Sequence, residues 1–497
     1  LRSRGRSTFY FFLAFWALIT ALHLPYLRLP FFWDELGHFV PAALDLLQHG
    51  QWIPSSTPPN AHPPALSAIL AALWSVTGVS IPATRLLMLA IASVGALLAF
   101  LLAIRLGRGT AGAPAFAAVL FLLATPLFFT QAMMAQLDMP AMVLTTLALL
   151  LFLGDRYGWC AVACTAAVLI KETTIVVPLV FAVWLLWKPR QPSDHQKATF
   201  FAVPPLVLAA WFAILYRFTG SPFGDPGFTE SNLIEALQPA HLALAVLSRA
   251  YYLFVADGRW LGALALFLGW RLLRTRDWAI AASVAIAQLL VVTVLGGATL
   301  ERYLLPVLPI LYAGMAVAAS MYPGNWRFAS HAILIGALFL GWFWAPIFPQ
   351  PYENNLAMAD AVALDQQAAE FLTAYRRNAR VATTWPLSDA LARPEYGYVY
   401  RPFPVEAALG DDLPHLAGLS RDADLLILHG HAGLLDAWDP PLIVRRTLQS
   451  ILESATDFQP PATAAQIRAG LGYVPVVRFS RGSWLGRAQW IDIFVRE

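Results

Sequence analysis

Between Arg85 and Arg105 the chain reads "LLMLAIASVGALLAFLLAI", with no charge anywhere in the stretch. Such a run is long enough to cross the hydrocarbon of a bilayer, which takes about 20 residues of helix. Water cannot satisfy backbone groups in that environment, so the segment must be helical or part of a closed barrel. Similar runs recur up to about residue 346, none with the alternation of a lipid-facing barrel strand. The composition agrees. Of 497 residues, 58% are hydrophobic and 13% are charged, against roughly 25% charged in soluble domains. Mean hydropathy is +0.60. The sequence therefore predicts a polytopic α-helical membrane protein.

Hydropathy places about eleven spans, at 8–25, 83–104, 112–129, 139–153, 158–170, 173–187, 199–218, 255–272, 277–296, 302–320 and 328–346. Residues 65–79 read as a helix at the surface or half inserted. No cleavage-site pattern follows the first run, so it reads as a retained span. The stretch 158–187 as one helix would be ~44 Å long, too long for one span without strong tilt. It is split at Lys171. With Arg2, Arg4 and Arg6 on the cytoplasmic side, Arg105, Arg108, Arg156, Lys188, Arg190, Lys197, Arg271, Arg274, Arg276 and Arg327 also fall inside, as the positive-inside rule requires. The net charge of +3 says little about partners by itself. Cys160 and Cys164 are four apart in an apolar run, which puts them on one helical face as small buried hydrophobes.

From about Pro349 the character changes. "AMADAVALDQQAAEFLTAYRR" (357–377) has the apolar spacing of an amphipathic helix. "RVATTWP" (380–386), "DLLILHG" (424–430), "GYVPVVRFS" (472–480) and "QWIDIFVRE" (489–497) read as strands. The expected organisation is a transmembrane domain over 1–348, with a first outer loop at 26–82. A small extracytoplasmic α/β domain follows over 349–497.

This topology gathers the unusual polar residues on the outer side. They are Asp34, Glu35, His38 and His62 in the first loop, Asp138, the pair Lys171–Glu172, Asp257 with Arg259, and Glu301–Arg302 beside Tyr303. Charges near hydrocarbon cost of order 2.5–3.5 kcal/mol each at mid-bilayer, so they turn toward a cavity or toward each other. Each also has a structural reading: a cap for Asp34 and Glu35, a turn for His62, an N-cap for Asp138, a local ion pair for Lys171–Glu172, and snorkelling for Arg302. Their shared side is what suggests a polar cavity.

Six stretches carry a resemblance. "WDELGHF" (33–39) is similar to the acidic-pair signature of the protein O-mannosyltransferases, with one more residue between Glu35 and His38. "NAHPPAL" (60–66) is similar to their His-Pro-Pro-Leu stretch, with Ala65 intervening. "DLLQHGQWIP" (45–54) resembles the run after the acidic pair in the lipid A aminoarabinose transferases. "AQLDMP" (135–140), "LIKETTIVVP" (169–178) and "ERYLLPVLP" (301–309) follow in order. The chain thus resembles the integral-membrane glycosyltransferases of the GT-C type, over roughly 8–320.

That resemblance implies an inverting transfer of a sugar from a polyprenyl-phosphate donor. The acceptor would be a glycan, lipid or protein on the outer face of a bacterial inner membrane. It implies Asp34 as general base, with Asp138 and Glu35 as its catalytic companions. The leaving phosphate needs cations, for which Lys171 and Arg302 are nominated, with Arg259 next. His38, His62, Glu172, Glu301 and Tyr303 are expected to orient the loop or the acceptor. No cofactor is required by this chemistry, and a divalent metal ion stays open. Membrane lipids are expected partners and nucleic acid is not. Oligomeric state, donor sugar and acceptor are not legible. Two other readings stand beside this one. A transporter or flippase of lipid-linked sugars should show midplane polar residues, broken helices and repeats. A catalytically inactive relative could serve as a subunit of a larger assembly.

Overall fold

The computed structural model describes residues 2–107, 114–188, 190–322, 324–343, 353–376, 378–419, 422–431, 461–482 and 488–497; Arg108 lies outside them. The chain divides into two compact units. The first is Leu1–Leu27 with His38–Trp342, and the second is Arg28–Gly37 with Phe343–Glu497.

Among the described residues, the regular elements of the first unit are all helices. It begins with α1 (Arg2–His23), α2 (Val40–His49), α3 (Ala65–Thr77) and α4 (Ile81–Leu106). Next come α5 (Pro114–Ala124), α6 (Pro126–Met133), α7 (Asp138–Leu153), α8 (Tyr157–Ile170) and α9 (Val176–Trp187). Then follow α10 (Asp194–Ala198), α11 (Val203–Thr219), α12 (Pro226–Thr229), α13 (Pro239–Phe254) and α14 (Arg259–Gly269). The last are α15 (Arg276–Val294), α16 (Leu308–Ala319) and α17 (Trp326–Leu340). Within the described residues, each span expected from hydropathy falls mainly on helix, with breaks at Thr125 and Asp257. Among the described residues, however, six helices are long and apolar enough to cross a membrane alone, or up to eight with two bent pairs. The helices over 138–153, 157–170 and 172–187 are shorter. Burial sorts inside from outside: 89% of the Glu301–Ala319 window is buried, against 11% of Ser7–Tyr26. Alanines 313, 316, 318 and 319 let neighbours approach α16 closely.

The breaks have local causes. Thr125 precedes Pro126, which disfavours helical geometry at the residue before it. Its ψ is 122°, and α5 and α6 meet at 70°. The Thr125 hydroxyl sits within hydrogen-bond distance of both Phe121 O and the Tyr312 hydroxyl, at 2.7 Å each, which serves polar groups at the break. α13 and α14 meet at 45°, where Asp257 and Gly258 both take positive φ. A Cβ on Gly258 would lie 2.4 Å from that of Ala337, so α17 passes too close for any other residue.

Polar contacts gather the basic loops at one end of this unit. Arg105 donates to Leu153 O at 2.7 Å and pairs with Asp277 at 2.9 Å. Arg190 pairs with Asp155 at 3.4 Å, and Arg276 donates to Lys188 O at 3.3 Å. α7 runs from this end to Asp138.

The second unit is built on a five-stranded mixed sheet. Its elements are α18 (Ala357–Tyr375), β1 (Val381–Thr384), α19 (Leu387–Ala392), β2 (Val405–Ala408), α20 (Leu413–Ala417), β3 (Leu425–His431), α21 (Ala464–Leu471), β4 (Tyr473–Gly482) and β5 (Ala488–Arg496). The strand order is β2-β1-β3-β5-β4. β1 pairs parallel with β2 and β3, while β5 pairs antiparallel with β3 and β4. Pro475 cannot donate to a ladder, and it sits on the edge strand β4 beside an irregularity in register between Pro475 and Val477. α18 buries Ala361, Asp365, Ala368 and Leu372 along one stripe. The buried Asp365 carboxylate is 2.6 Å from His429 Nε2 on β3.

The segment 28–37 belongs to the core of this unit. Phe31, Phe32 and Leu36 are buried. Phe31 N donates to Tyr396 O at 3.1 Å, the Tyr398 hydroxyl donates to Phe31 O at 2.9 Å, and the Tyr396 hydroxyl donates to Leu36 O at 3.1 Å. Trp33, at φ 55°, meets Trp385 edge-on at 4.7 Å.

Candidate active site

Asp138 opens α7, where a carboxylate is favoured by the exposed amides and dipole of the first turn. Pro140 is tolerated there because first-turn amides have no helical partner anyway. The Asp138 side chain is buried. One oxygen takes Lys171 Nζ at 2.5 Å, and the other lies 3.5 Å from Arg302 Nε.

Lys171 sits where α8 stops. Its φ and ψ are −147° and 119°, an extended residue between α8 and the 3₁₀ turn Glu172–Ile175. Its carbonyl accepts from Thr174 N at 3.1 Å and Thr174 Oγ1 at 2.8 Å, which fixes the turn. The ammonium lies 4.1 Å from the centre of the Tyr303 ring. Arg302 and Tyr303 are on the 3₁₀ segment Glu301–Val307. Arg302 and Arg249 each place their guanidinium carbon 5.5 Å from the same ring.

Three cations therefore converge on Tyr303, while Asp138 is the carboxylate paired with two of them. Arg249 is buried on α13 and donates to Leu300 O and, at 3.4 Å and 3.5 Å, to Val292 O and Ala298 O. Those carbonyls satisfy hydrogen bonds without neutralising the charge. Buried positive charge in an apolar setting is expensive unless anions balance it. The arrangement can hold the oxygens of a phosphate, with the ring facing its cations.

Arg249 was not nominated from the sequence, because 239–254 was not read as a span. The available signal was a single arginine in the apolar run "ALAVLSRAYYLFV". Arg259 and Glu301, nominated for phosphate binding and orientation, pair with each other at 2.6 Å. Arg259 is fully buried, also reaches Asp257 at 3.2 Å and the Tyr312 hydroxyl at 3.0 Å, and donates to Tyr252 O. Its fork is directed at these partners. His62 Nδ1 lies 2.7 Å from Glu172 Oε2. His38, Phe39, Trp52, His62, Leu137 and Trp211 line a cavity of about 40 Å³, room for about one water. Among the described residues, no three His, Cys, Asp or Glu are grouped to hold a metal ion. Cys160 and Cys164 are buried and free.

The acidic pair lies in the second unit, and its members differ. Asp34 is half-buried, whereas Glu35 is fully buried. Glu35 Oε2 accepts from Phe32 N at 3.0 Å, and Glu35 N donates to Phe32 O at 3.2 Å. Glu35 thus closes the turn that presents Asp34. Nearby in the same unit, burial raises the Asp389 carboxyl above its ordinary value, opposed by Arg393 and a hydrogen bond from Trp385. Glu35→Ala is expected to destabilise the second unit by about 1–3 kcal/mol, the cost of stranding a buried donor. Glu35→Gln keeps an acceptor and should retain most transfer. Thermal unfolding with activity on the same preparations checks this; a Gln variant that folds normally but is inactive would give Glu35 a chemical role.

Residues 61–216 match the family described as dolichyl-phosphate-mannose-protein mannosyltransferase. That stretch contains His62, Asp138, Lys171 and Glu172, and leaves out Asp34, Glu35, Arg249 and Arg302. No curated protein sequence matches the chain. Among solved structures, ArnT from Cupriavidus metallidurans bound to undecaprenyl phosphate is similar with a TM-score of 0.56 at 15% identity, covering 96% of this chain and 97% of that one. The apo state of the same enzyme gives 0.54 at 15% identity, with the same coverage. At such identity the likeness is one of fold.

Proposed function

We propose that this integral-membrane chain, which resembles the GT-C glycosyltransferases in fold and in its ordered motifs, transfers a sugar from a polyprenyl-phosphate donor to an acceptor outside the cytoplasm. The observation that carries the reading is the convergence of Lys171, Arg249 and Arg302 on Tyr303, with Asp138 holding two of the three. The undecaprenyl phosphate bound by the ArnT structure supports a lipid phosphate as the anion.

The reaction needs stabilisation of the leaving phosphate and a base for the acceptor. As the glycosidic bond breaks, negative charge grows on the phosphate, and the three cations stabilise it where it develops. Lys171 supplies a point charge, while the arginines supply forks matched to phosphate oxygens. Asp138 keeps Lys171 and Arg302 in register. Asp34 takes the proton of the acceptor as it attacks the anomeric carbon opposite the phosphate, which inverts that centre. Glu35 holds the turn beneath Asp34, and the Arg259–Glu301 pair fixes the segment that carries Arg302. The test is transfer from a radiolabelled polyprenyl-phosphate sugar by purified protein. Donor that binds but is never consumed, with any acceptor class, would overturn the reading.

The orientation is part of the proposal. The basic loops at one end of the helical unit support placing that end in the cytoplasm and the second unit outside. Single cysteines at Gln196 and at Ser480 check it, since Cys160 and Cys164 are buried and give little background. In intact cells an impermeant maleimide should label Ser480→Cys and spare Gln196→Cys; the reverse pattern inverts the topology.

A further inference from the structure

The end of the helical unit away from Asp138 carries a cleft that the proposed transfer does not use. It encloses about 660 Å³ and is lined by Trp184, Lys188, Arg274, Thr275 and Arg276. Three cations face it, and among the described residues no carboxylate lines it. Asp277, next in sequence, is engaged by Arg105 at 2.9 Å. The Arg276 Nε is buried without a hydrogen-bond partner, although its Nη2 reaches Lys188 O. Lys188 lies 5.2 Å from the ring of Trp184, which lines the site, and Arg274 lies 3.7 Å from that of Trp270.

A second feature gives the cleft its ligand class. Leu273 and Ala279 line it and also line an apolar groove of about 300 Å³ between α13, α14, α15 and α16. Trp278, Ala285, Ile286 and Ile310 form part of that groove. A cationic cleft that continues into an apolar groove has the chemistry of one molecule, an anion joined to a hydrocarbon chain. A row of interfacial basic residues alone would follow from the positive-inside rule. The continuity with the groove and the buried, unanswered Arg276 N–H go beyond that rule.

We propose that this is a binding site for an anionic phospholipid of the leaflet on the basic side. Its phosphate lies among Lys188, Arg274 and Arg276, and one acyl chain lies in the groove. Basic pockets between membrane helices are built for such headgroups. The site is separate from the sugar-transfer reading, because its readout is lipid retention.

The full-length protein, delipidated in detergent, would be titrated with phosphatidylglycerol and with phosphatidylcholine and followed by native mass spectrometry. Phosphatidylglycerol should be retained in preference. Each Lys188→Gln, Arg274→Gln or Arg276→Gln change should weaken retention about fivefold, and the three together on the order of 100-fold. Ala285→Trp fills the groove and should weaken lipid retention while leaving the cationic residues in place. Thermal unfolding confirms that each variant is folded. Equal retention of the two lipids, or no effect of the triple change in folded protein, overturns the site. Displacement by millimolar inorganic phosphate would assign the cleft to a free anion. One-for-one displacement by undecaprenyl phosphate would give the groove to the donor chain. Either result also sinks the proposal.

Discussion

Asp34→Asn is expected to lower sugar transfer by about 10²- to 10⁴-fold while leaving insertion and donor binding intact. The amide has the size of the carboxylate and keeps an acceptor oxygen, but it cannot take the acceptor's proton near neutral pH. The structure sharpens the expectation by separating the two acids. Glu35 is fully buried and tied to Phe32 N, whereas Asp34 is half-buried at the turn that Glu35 closes. Steady-state transfer and donor binding, measured on protein whose unfolding midpoint matches wild type, decide it. Near-normal turnover would remove Asp34 as the base and leave it a structural residue of the turn.

Arg302→Ala is expected to weaken donor binding and to lower turnover as well, together by about 10²- to 10³-fold, the range for removing one donor from a developing anion. Both parameters should fall because the phosphate is charged before the bond breaks and becomes more so afterwards. Arg302→Lys should restore only part of the loss, since an ammonium lacks the fork. Lys171→Ala should behave similarly and also release Asp138, its partner at 2.5 Å. Arg249→Gln tests the third cation. Its guanidinium rests on backbone carbonyls, so the neutral amide loses charge while keeping donors. Donor titration against maximal rate separates the cases. If Arg302→Ala left affinity and rate unchanged, the phosphate would bind elsewhere.

Hydropathy and the length of apolar runs were enough to locate most elements. The break at Lys171 followed from length, since a continuous 158–187 helix exceeds a bilayer, together with the charges in mid-run and the side of the later basic loops; the chain is extended there. The strands at 381–384, 425–431, 473–482 and 488–496 fall on the short apolar runs that announced them, while the strand at 405–408 was not foreseen. The number of crossings was less legible. Apolar length is shared out among Pro kinks and 3₁₀ turns, so that among the described residues six to eight helices are long enough by themselves, while the expected spans at 139–153, 158–170 and 173–187 fall on shorter ones.

What the sequence determined by itself was the class of the fold and the end of the helical unit at which Asp138, Lys171 and Arg302 would lie. Hydrophobic length and the charge of loops act along the chain, and both can be read there. Tertiary structure decided the pairings. It gave Arg259 to Glu301, brought Arg249 to Tyr303 from a helix 54 residues earlier in the chain, and put segment 28–37 into the core of the second unit. Burial and Coulomb energy depend on distances of a few ångströms between residues far apart in sequence. The same carboxylate can be a base in one such environment and a structural acceptor in another. Asp34 and Glu35 are neighbours in the chain, and only the folded unit distinguishes them.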